Sequence, residues 1–255
     1  SPRVALASAD DYASTLASYG VIVENATRQG AVLRQAREVA AEVGGEIPED
    51  PALLEEVSNL VEVPTAILGS FEEEFLTLPQ EVLIAVMKKH QRYFPVLDSA
   101  GKIMSYFVTI RNGSQEHVDL VRQGNEDVIR ARYADAAYFY SQDRRQPLEA
   151  HREGLEKLTF EADLGSMLDK SERLEALAPY LGQLMNLSED EMVSLQRAAY
   201  LSKADLATKM VVEMTSLQGT MGREYALLSG ESPAVADAIF EHYLPRSAGD
   251  RSPTS

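Results

Sequence analysis

The sequence predicts an α+β domain followed by an all-α domain, and three observations carry that reading. Runs of β-favouring residues bounded by glycine and proline occur before residue 113 and not after it. From about residue 116 onward, apolar residues recur at helical spacing with no clear strand among them. Between the two patterns lies a polar, glycine-containing break, Asn112-Gly113-Ser114-Gln115, which sets the expected domains at 1–114 and 115–255. A chain of 255 residues, 45% apolar and 25% charged, has the size for two cores and the composition of an ordinary globular protein.

Taken in order, 10–19 reads as a helix, followed by the apolar run Val21-Ile22-Val23 and a long helix over 25–43. In that helix Ala31, Val32, Gln35, Ala36, Val39, Ala40 and Val43 form one stripe at three- and four-residue spacing, and Gly44-Gly45 ends it. A short helix is expected over 53–60 and a strand over 63–69, closed by Gly69. Leu78-Pro79 stops the chain before a helix over 81–89, and 93–97 and 103–110 are expected to pair as strands about the turn Asp98-Ser99-Ala100-Gly101. In the second half, Ile129, Tyr133, Ala136, Ala137 and Tyr140 make a single helical stripe that leaves Arg130, Arg132 and Asp135 on other faces. Further helices are expected at about 148–158, 168–184, 189–215, 219–229 and 232–243. Ser188 with Glu191 has the pattern of a capping box, and Ser232-Pro233 that of a cap followed by proline in the first turn.

The chain carries 24 Lys and Arg against 40 Asp and Glu, a net charge of −16, which argues against nucleic-acid binding by bulk electrostatics. The distribution qualifies this. Residues 1–87 hold 4 basic against 15 acidic side chains and residues 153–255 hold 9 against 17, whereas 88–152 hold 11 against 8. Within this basic island, Lys88-Lys89-His90-Gln91-Arg92-Tyr93-Phe94 combines cations, hydrogen-bonding groups and aromatic rings, a set suited to phosphates and unpaired bases. The competing structural reading puts Tyr93, Phe94 and Val96 in the core while Lys88, Lys89 and Arg92 complement a helix C-terminus. Arg122, Arg130, Arg132, Arg144 and Arg145 extend the candidate RNA-binding surface beside Lys88, Lys89, His90 and Arg92.

No cysteine is present, so disulfides and thiolate metal sites are excluded. No apolar run reaches the length of a membrane span and no secretory signal pattern opens the chain, so a cytoplasmic protein without membrane contact is expected. The start at Ser1-Pro2 and the close on Arg251-Ser252-Pro253-Thr254-Ser255 read as those of a piece of something longer or of a processed product. Catalytic candidates are few. His90, His117, His151 and His242 lie in no triad or elbow pattern and read as surface or structural residues, and no phosphate-cradling glycine loop occurs. Glu55-Glu56 and Glu72-Glu73-Glu74 read as solvated acidic faces rather than cation sites. No catalytic residue, metal or cofactor is therefore assigned to this chain.

Four ordered blocks share a source. Leu53-Leu54-Glu55-Glu56-Val57-Ser58-Asn59-Leu60-Val61-Glu62 with Met87 to Val96 is the first, and Gly124-Asn125-Glu126 through Ala136 the second. The third is Gly165-Ser166 before Asp169-Lys170, and the fourth runs from Lys203-Ala204-Asp205-Leu206 to Leu217-Gln218-Gly219-Thr220-Met221-Gly222. Together, over about 50–250, they resemble the β subunit of bacterial-type glycyl-tRNA synthetase. The departures are Met214-Thr215-Ser216, more polar than usual there, and Ser247. The resemblance implies an editing-domain-like first domain and a degenerate HD-type helical second domain. It implies tRNA-Gly and the α subunit as partners, with ATP and glycine used on the α subunit. HD-type phosphohydrolases hold a metal with a histidine-aspartate pair. Here Ala204 stands at the histidine position beside Asp205, and the Lys203 ammonium opposes a cation, so Lys203 and Asp205 read as a polar pair holding helices. A protein scaffold without RNA contact and a residual HD-type metal-dependent phosphohydrolase are the alternative functions.

Overall fold

A computed structural model of the chain describes residues 4–254, with the side chain of His90 outside the described part. It divides into two compact units, 1–135 and 136–255.

In the first unit, a short helix α1 (Tyr12–Ser18) precedes α2 (Asn25–Ala41), which Gly44 ends in the left-handed conformation at φ +72°. Helix α3 (Pro51–Leu60) starts with proline in its first turn and Asp50 as its cap, the carboxylate accepting from the Leu53 amide at 3.0 Å. Strands β1 (Pro64–Ser70), β2 (Phe94–Leu97) and β3 (Ile103–Asn112) form an antiparallel sheet in the order β1-β3-β2. Register is set by alternation: Leu68 opposes Val108, and Phe94 opposes Val108 from the other side. These residues share a face that packs on Val32, Ala36, Ala40, Leu53 and Val57 of α2 and α3. On the other face Gly69 lies over Phe107, where a Cβ would come 2.4 Å from the ring, and Phe107 stacks on Tyr93 at 4.6 Å.

Between β1 and β2, helix α4 (Gln80–Ala85) runs into a π-helical turn (Val86–Gln91) that ends at Arg92, left-handed at φ 56°. The residues 81–89 expected as one helix thus change their winding halfway. Helix α5 (Val118–Asp143) follows the sheet. The sequence pattern changes at 112–115, but the packing divides later, inside α5, because the first part of that helix is tied to the first unit. Tyr133 is fully buried against Phe71 and Phe75, with ring centroids 4.9 and 5.5 Å apart, and Asn125 accepts from the Tyr93 hydroxyl at 2.5 Å.

The second unit is mostly helical rather than all-α. After α6 (Leu148–His151) and a 3-10 turn over 152–157, β4 (Thr159–Glu161) pairs antiparallel with β5 (Gly165–Ser166). This hairpin is short and solvent-exposed, so it carries no alternating pattern for a sequence reading to find. It delivers Ser166 as the cap of α7 (Met167–Leu184), in a capping box with Asp169. Gly165 is required there, since at φ +81° its Cβ would meet the Asp169 carboxylate at 2.3 Å. The expected box of Ser188 and Glu191 opens α8 (Glu189–Leu201), and Ser232 with Pro233 opens α11 (Pro233–Glu241).

The continuous helix expected over 189–215 is instead broken after Leu201 into a 3-10 turn over 204–207, α9 (Lys209–Glu213) and a second turn over 215–217, before α10 (Thr220–Leu228). Nothing in Ser202-Lys203-Ala204-Asp205 is a helix breaker, and buried polar contacts hold the bend. Thr208 caps α9, and the Asp143 carboxylate accepts from the Lys209 and Met210 amides at 2.8 and 2.9 Å.

Candidate nucleic-acid interface

The basic island separates into side chains that are neutralised within the fold and side chains that are not. Lys88, on the π turn, meets the Asp50 carboxylate, and Arg92 meets Glu56 at 2.6 Å. Arg122 pairs with Asp119 at 3.0 Å, and Arg130 with both Glu72 and, at 2.7 Å, Asp127. The Arg130 guanidinium holds the Glu72 carboxyl below its usual range. Pairs of this kind at a surface add little to stability, but they remove cations from those free to meet phosphate. Among the described residues Lys89, Arg132, Arg144 and Arg145 have no ion pair and are exposed. His90, a member of the predicted set, has its side chain outside the described part.

Tyr93 and Phe94 are not a stacking platform. They are 3% and 2% exposed, and burial pushes the Tyr93 hydroxyl up to about 12. The aromatics thus enter the core, as the competing reading expects, while Lys89 stays in solvent.

Arg144 and Arg145 follow the end of α5 and line a cavity of about 310 Å³ with Gln146, Pro147, Tyr225, Leu228 and Ser229. Arg144 also lies 5.0 Å from the centre of the Tyr140 ring. Asp143, 3% exposed, fixes the base of this loop. Besides the two α9 amides it accepts from the Tyr225 hydroxyl at 3.0 Å. The sequence reading missed Asp143 because a carboxylate at a helix end looks solvated until its donors, more than sixty residues away, are placed around it.

Asp205 is fully buried and Ala204 beside it contributes only apolar volume. The Asp205 carboxylate accepts from the Gly219 amide at 2.6 Å, while its second oxygen has no hydrogen-bond partner among the described residues. Burial raises its pKa to about 6, against the pull of that amide and of the Lys203 charge. Lys203 is not in direct ion pair with it. The ammonium donates to His242 Nε2 at 2.7 Å and lies 4.0 Å from the centre of the Tyr243 ring. His242 Nδ1 bonds the Ile239 carbonyl at 2.7 Å, which fixes the proton on Nδ1 and leaves Nε2 to accept. Burial, then the Lys170 charge, lowers Lys203 to about 8, and burial, then the Lys203 charge, lowers His242 to about 4. The predicted Lys203–Asp205 pair is in this way a four-residue cluster that also includes His242 and Tyr243. Among the described residues no group of three or more His, Asp or Glu side chains is placed to hold a metal ion. No described helix is long and apolar enough to cross a membrane.

A protein-family model described as glycyl-tRNA synthetase beta subunit matches residues 1–255. The chain is similar to the glycine–tRNA ligase beta subunit of Desulforudis audaxviator, 48% identical over 253 residues, which is 99% of this chain and 37% of that protein. The corresponding subunit of Desulforamulus reducens is 45% identical over 98% of this chain and 36% of its own length, and that of Bacillus subtilis 44% over 99% and 37%. The chain thus spans little more than a third of the length of these curated relatives. A match from end to end, with identities of this size carried across both compact units, makes the chain a member of the glycyl-tRNA synthetase beta subunit family.

Proposed function

We propose that this chain contributes acceptor-side tRNA-Gly recognition and subunit assembly to a glycyl-tRNA synthetase, an ATP-dependent ligase whose adenylation step is carried out on the alpha subunit. The observation that carries the reading is the set of exposed cations without carboxylate partners, Lys89, Arg132, Arg144 and Arg145, in a chain of net charge −16. Exposed cations that the fold leaves without carboxylates are available to meet phosphate even in so acidic a protein. The assembly role is supported by a different surface. Leu177, Leu181, Leu184 and Met185, on and just after α7, are 46 to 72% exposed, and an apolar recess of about 350 Å³ opens beside them between α7, α8 and α11.

In this reading residues 1–114 form an editing-domain-like module and residues 115–255 an HD-type domain without its metal set, with Ala204 in the place of a ligand histidine. Asp205 then serves to anchor Gly219 and the start of α10, and ATP and glycine are handled elsewhere in the holoenzyme. The test is binding to tRNA-Gly and to a non-cognate tRNA over a range of salt. Wild-type affinity is expected to fall steeply as salt rises, and a Lys89→Ala/Arg132→Ala variant to bind more weakly with a shallower salt slope. A Lys88→Ala/Arg92→Ala variant, stripped of cations that are already paired, is expected to change less. Absent or salt-insensitive tRNA binding would leave the scaffold role.

A further inference from the structure

We propose that the loop joining α5 to α6 is a phosphate seat, in which Arg144 and Arg145 hold the phosphate of a ribonucleotide within the cavity they share with Tyr225 and Leu228. The source of that phosphate, an RNA strand, rests on the tRNA reading above, whereas the anion chemistry does not. The usual reason for arginine after a helix is to satisfy its last carbonyls and complement its dipole. Here three of the last four carbonyls have other donors. The Tyr140 carbonyl accepts from the Arg144 amide and the Gln142 carbonyl from the Arg145 amide, each at 3.2 Å, and the Asp143 carbonyl accepts from His151 Nε2 at 3.0 Å. Among the described residues the two guanidinium groups have no capping bond and no carboxylate.

The loop is also built to hold its shape before a ligand arrives. Asp143 is locked by three donors, two of them buried, and with the His151 ring committed to the Asp143 carbonyl through Nε2, its Nδ1 accepts from the Gln146 amide at 3.2 Å. Two arginines carried on a clamped loop meet a phosphate without first having to order the backbone, and paired N–H forks suit phosphate oxygens. The cavity, about 310 Å³, exceeds what a bare anion needs and stands at the small end of the range for organic ligands. Tyr225 and Leu228 give it an apolar wall for a ribose or base. Ser229 is not a ligand, since its hydroxyl already donates to the Tyr225 carbonyl and accepts from the Leu148 amide.

The experiment is NMR of the arginine Nε–H groups of the whole chain, titrated with 5′-AMP, adenosine and inorganic phosphate. AMP is expected to shift Arg144 and Arg145 saturably, phosphate to shift them at several-fold weaker affinity, and adenosine to leave them in place. Affinity for AMP should drop at least tenfold in Arg144→Ala/Arg145→Ala, drop less in the double lysine variant, and stay unchanged in Arg34→Ala, a surface arginine paired within its own helix. Because the shifts are read on wild-type protein, the proposal stays falsifiable if the double variant fails to fold. Unmoved Arg144 and Arg145 signals with both phosphate probes would overturn it, as would undiminished AMP affinity in a folded double variant. Equal affinity for phosphate and AMP would overturn the ribonucleotide assignment. Parallel tRNA titrations separate the failures: AMP binding without tRNA binding removes the tRNA reading alone, and tRNA binding lost only in Lys89→Ala/Arg132→Ala removes the seat alone.

Discussion

The two units bury different chemistry. In the first, the polar side chains taken out of solvent among the described residues are the hydroxyls of Ser58, Thr65 and Thr109, and the rest of the core is apolar. The second buries Asp143, Lys203, Asp205 and Glu241 among its leucines and methionines. A sheet sandwiched by helices brings its backbone polar groups into register by itself, so side chains need only fill volume. A bundle of short helices exposes a fresh set of unpaired amides at each break, and charged side chains are enlisted to meet them. Asp143 on the α9 amides and Asp205 on Gly219 are instances of that device. The first unit should therefore respond to lost volume and be indifferent to pH, and the second should respond to lost charge.

The largest expected effect tests the first half of that contrast. Phe107 is fully buried between Gly69 and Tyr93, and Phe107→Ala should cost about 3–5 kcal/mol, by the same amount at pH 5 and pH 8. Urea unfolding with amide exchange read strand by strand would check it, and a loss that varied with pH would break the comparison. In the second unit Asp143→Ala should cost about 3 kcal/mol, because two α9 amides, one of them buried, and the buried Tyr225 hydroxyl lose their acceptor. Exchange should quicken in α9 and α10 before it does in β1 to β3.

The pH dependence sharpens the contrast further. Lys203 titrates near 8 in the fold against an ordinary 10.5, so between those values the unfolded chain binds more protons and stability rises with pH. The rise should total about 3 kcal/mol and vanish in Lys203→Met. At acid pH two groups oppose one another. His242, near 4 against 6.5, makes stability climb with pH, while Asp205, near 6 against 3.8, makes it fall. From these two groups the net slope between pH 4 and 6 should be close to flat, and Asp205→Asn should unmask the climb in thermal melts at stepped pH. The smallest effect is at a cap: Ser166→Ala removes one half of the box that opens α7 and should cost about 1 kcal/mol by chemical denaturation.

The elements that sequence reading found are those whose pattern is local. The stripe of α2, its stop at Gly44, the strands about the turn at 98–101, and the caps at Ser188 and Ser232 are each written within a few residues. What escaped it depends on distant partners. Residues 202–205 carry no breaker, and α8 ends there because Asp205 reaches Gly219 and Asp143 reaches α9. The candidate site divides in the same way. A basic island can be counted from the sequence, but that Lys88 is spent on Asp50, Arg92 on Glu56 and Arg130 on Glu72, while Arg144 and Arg145 remain free, is known only once the chain is folded.

The π turn at Val86–Gln91 makes chain length matter at one place more than residue type does. Such a turn closes one residue wider than an α-helical one, and is the form a helix takes when a single residue is added inside it. Deleting one residue there would let the segment relax into an ordinary helix, yet would swing everything ahead of it by about 100°. Val82, Leu83, Val86 and Met87 now face the core, and Lys88 now faces Asp50. After the deletion one of these groups would have to give way. A one-residue gap is thus a graver change in this stretch than replacing any single side chain in it, and in aligned relatives gaps should avoid it while substitutions on its wet face accumulate.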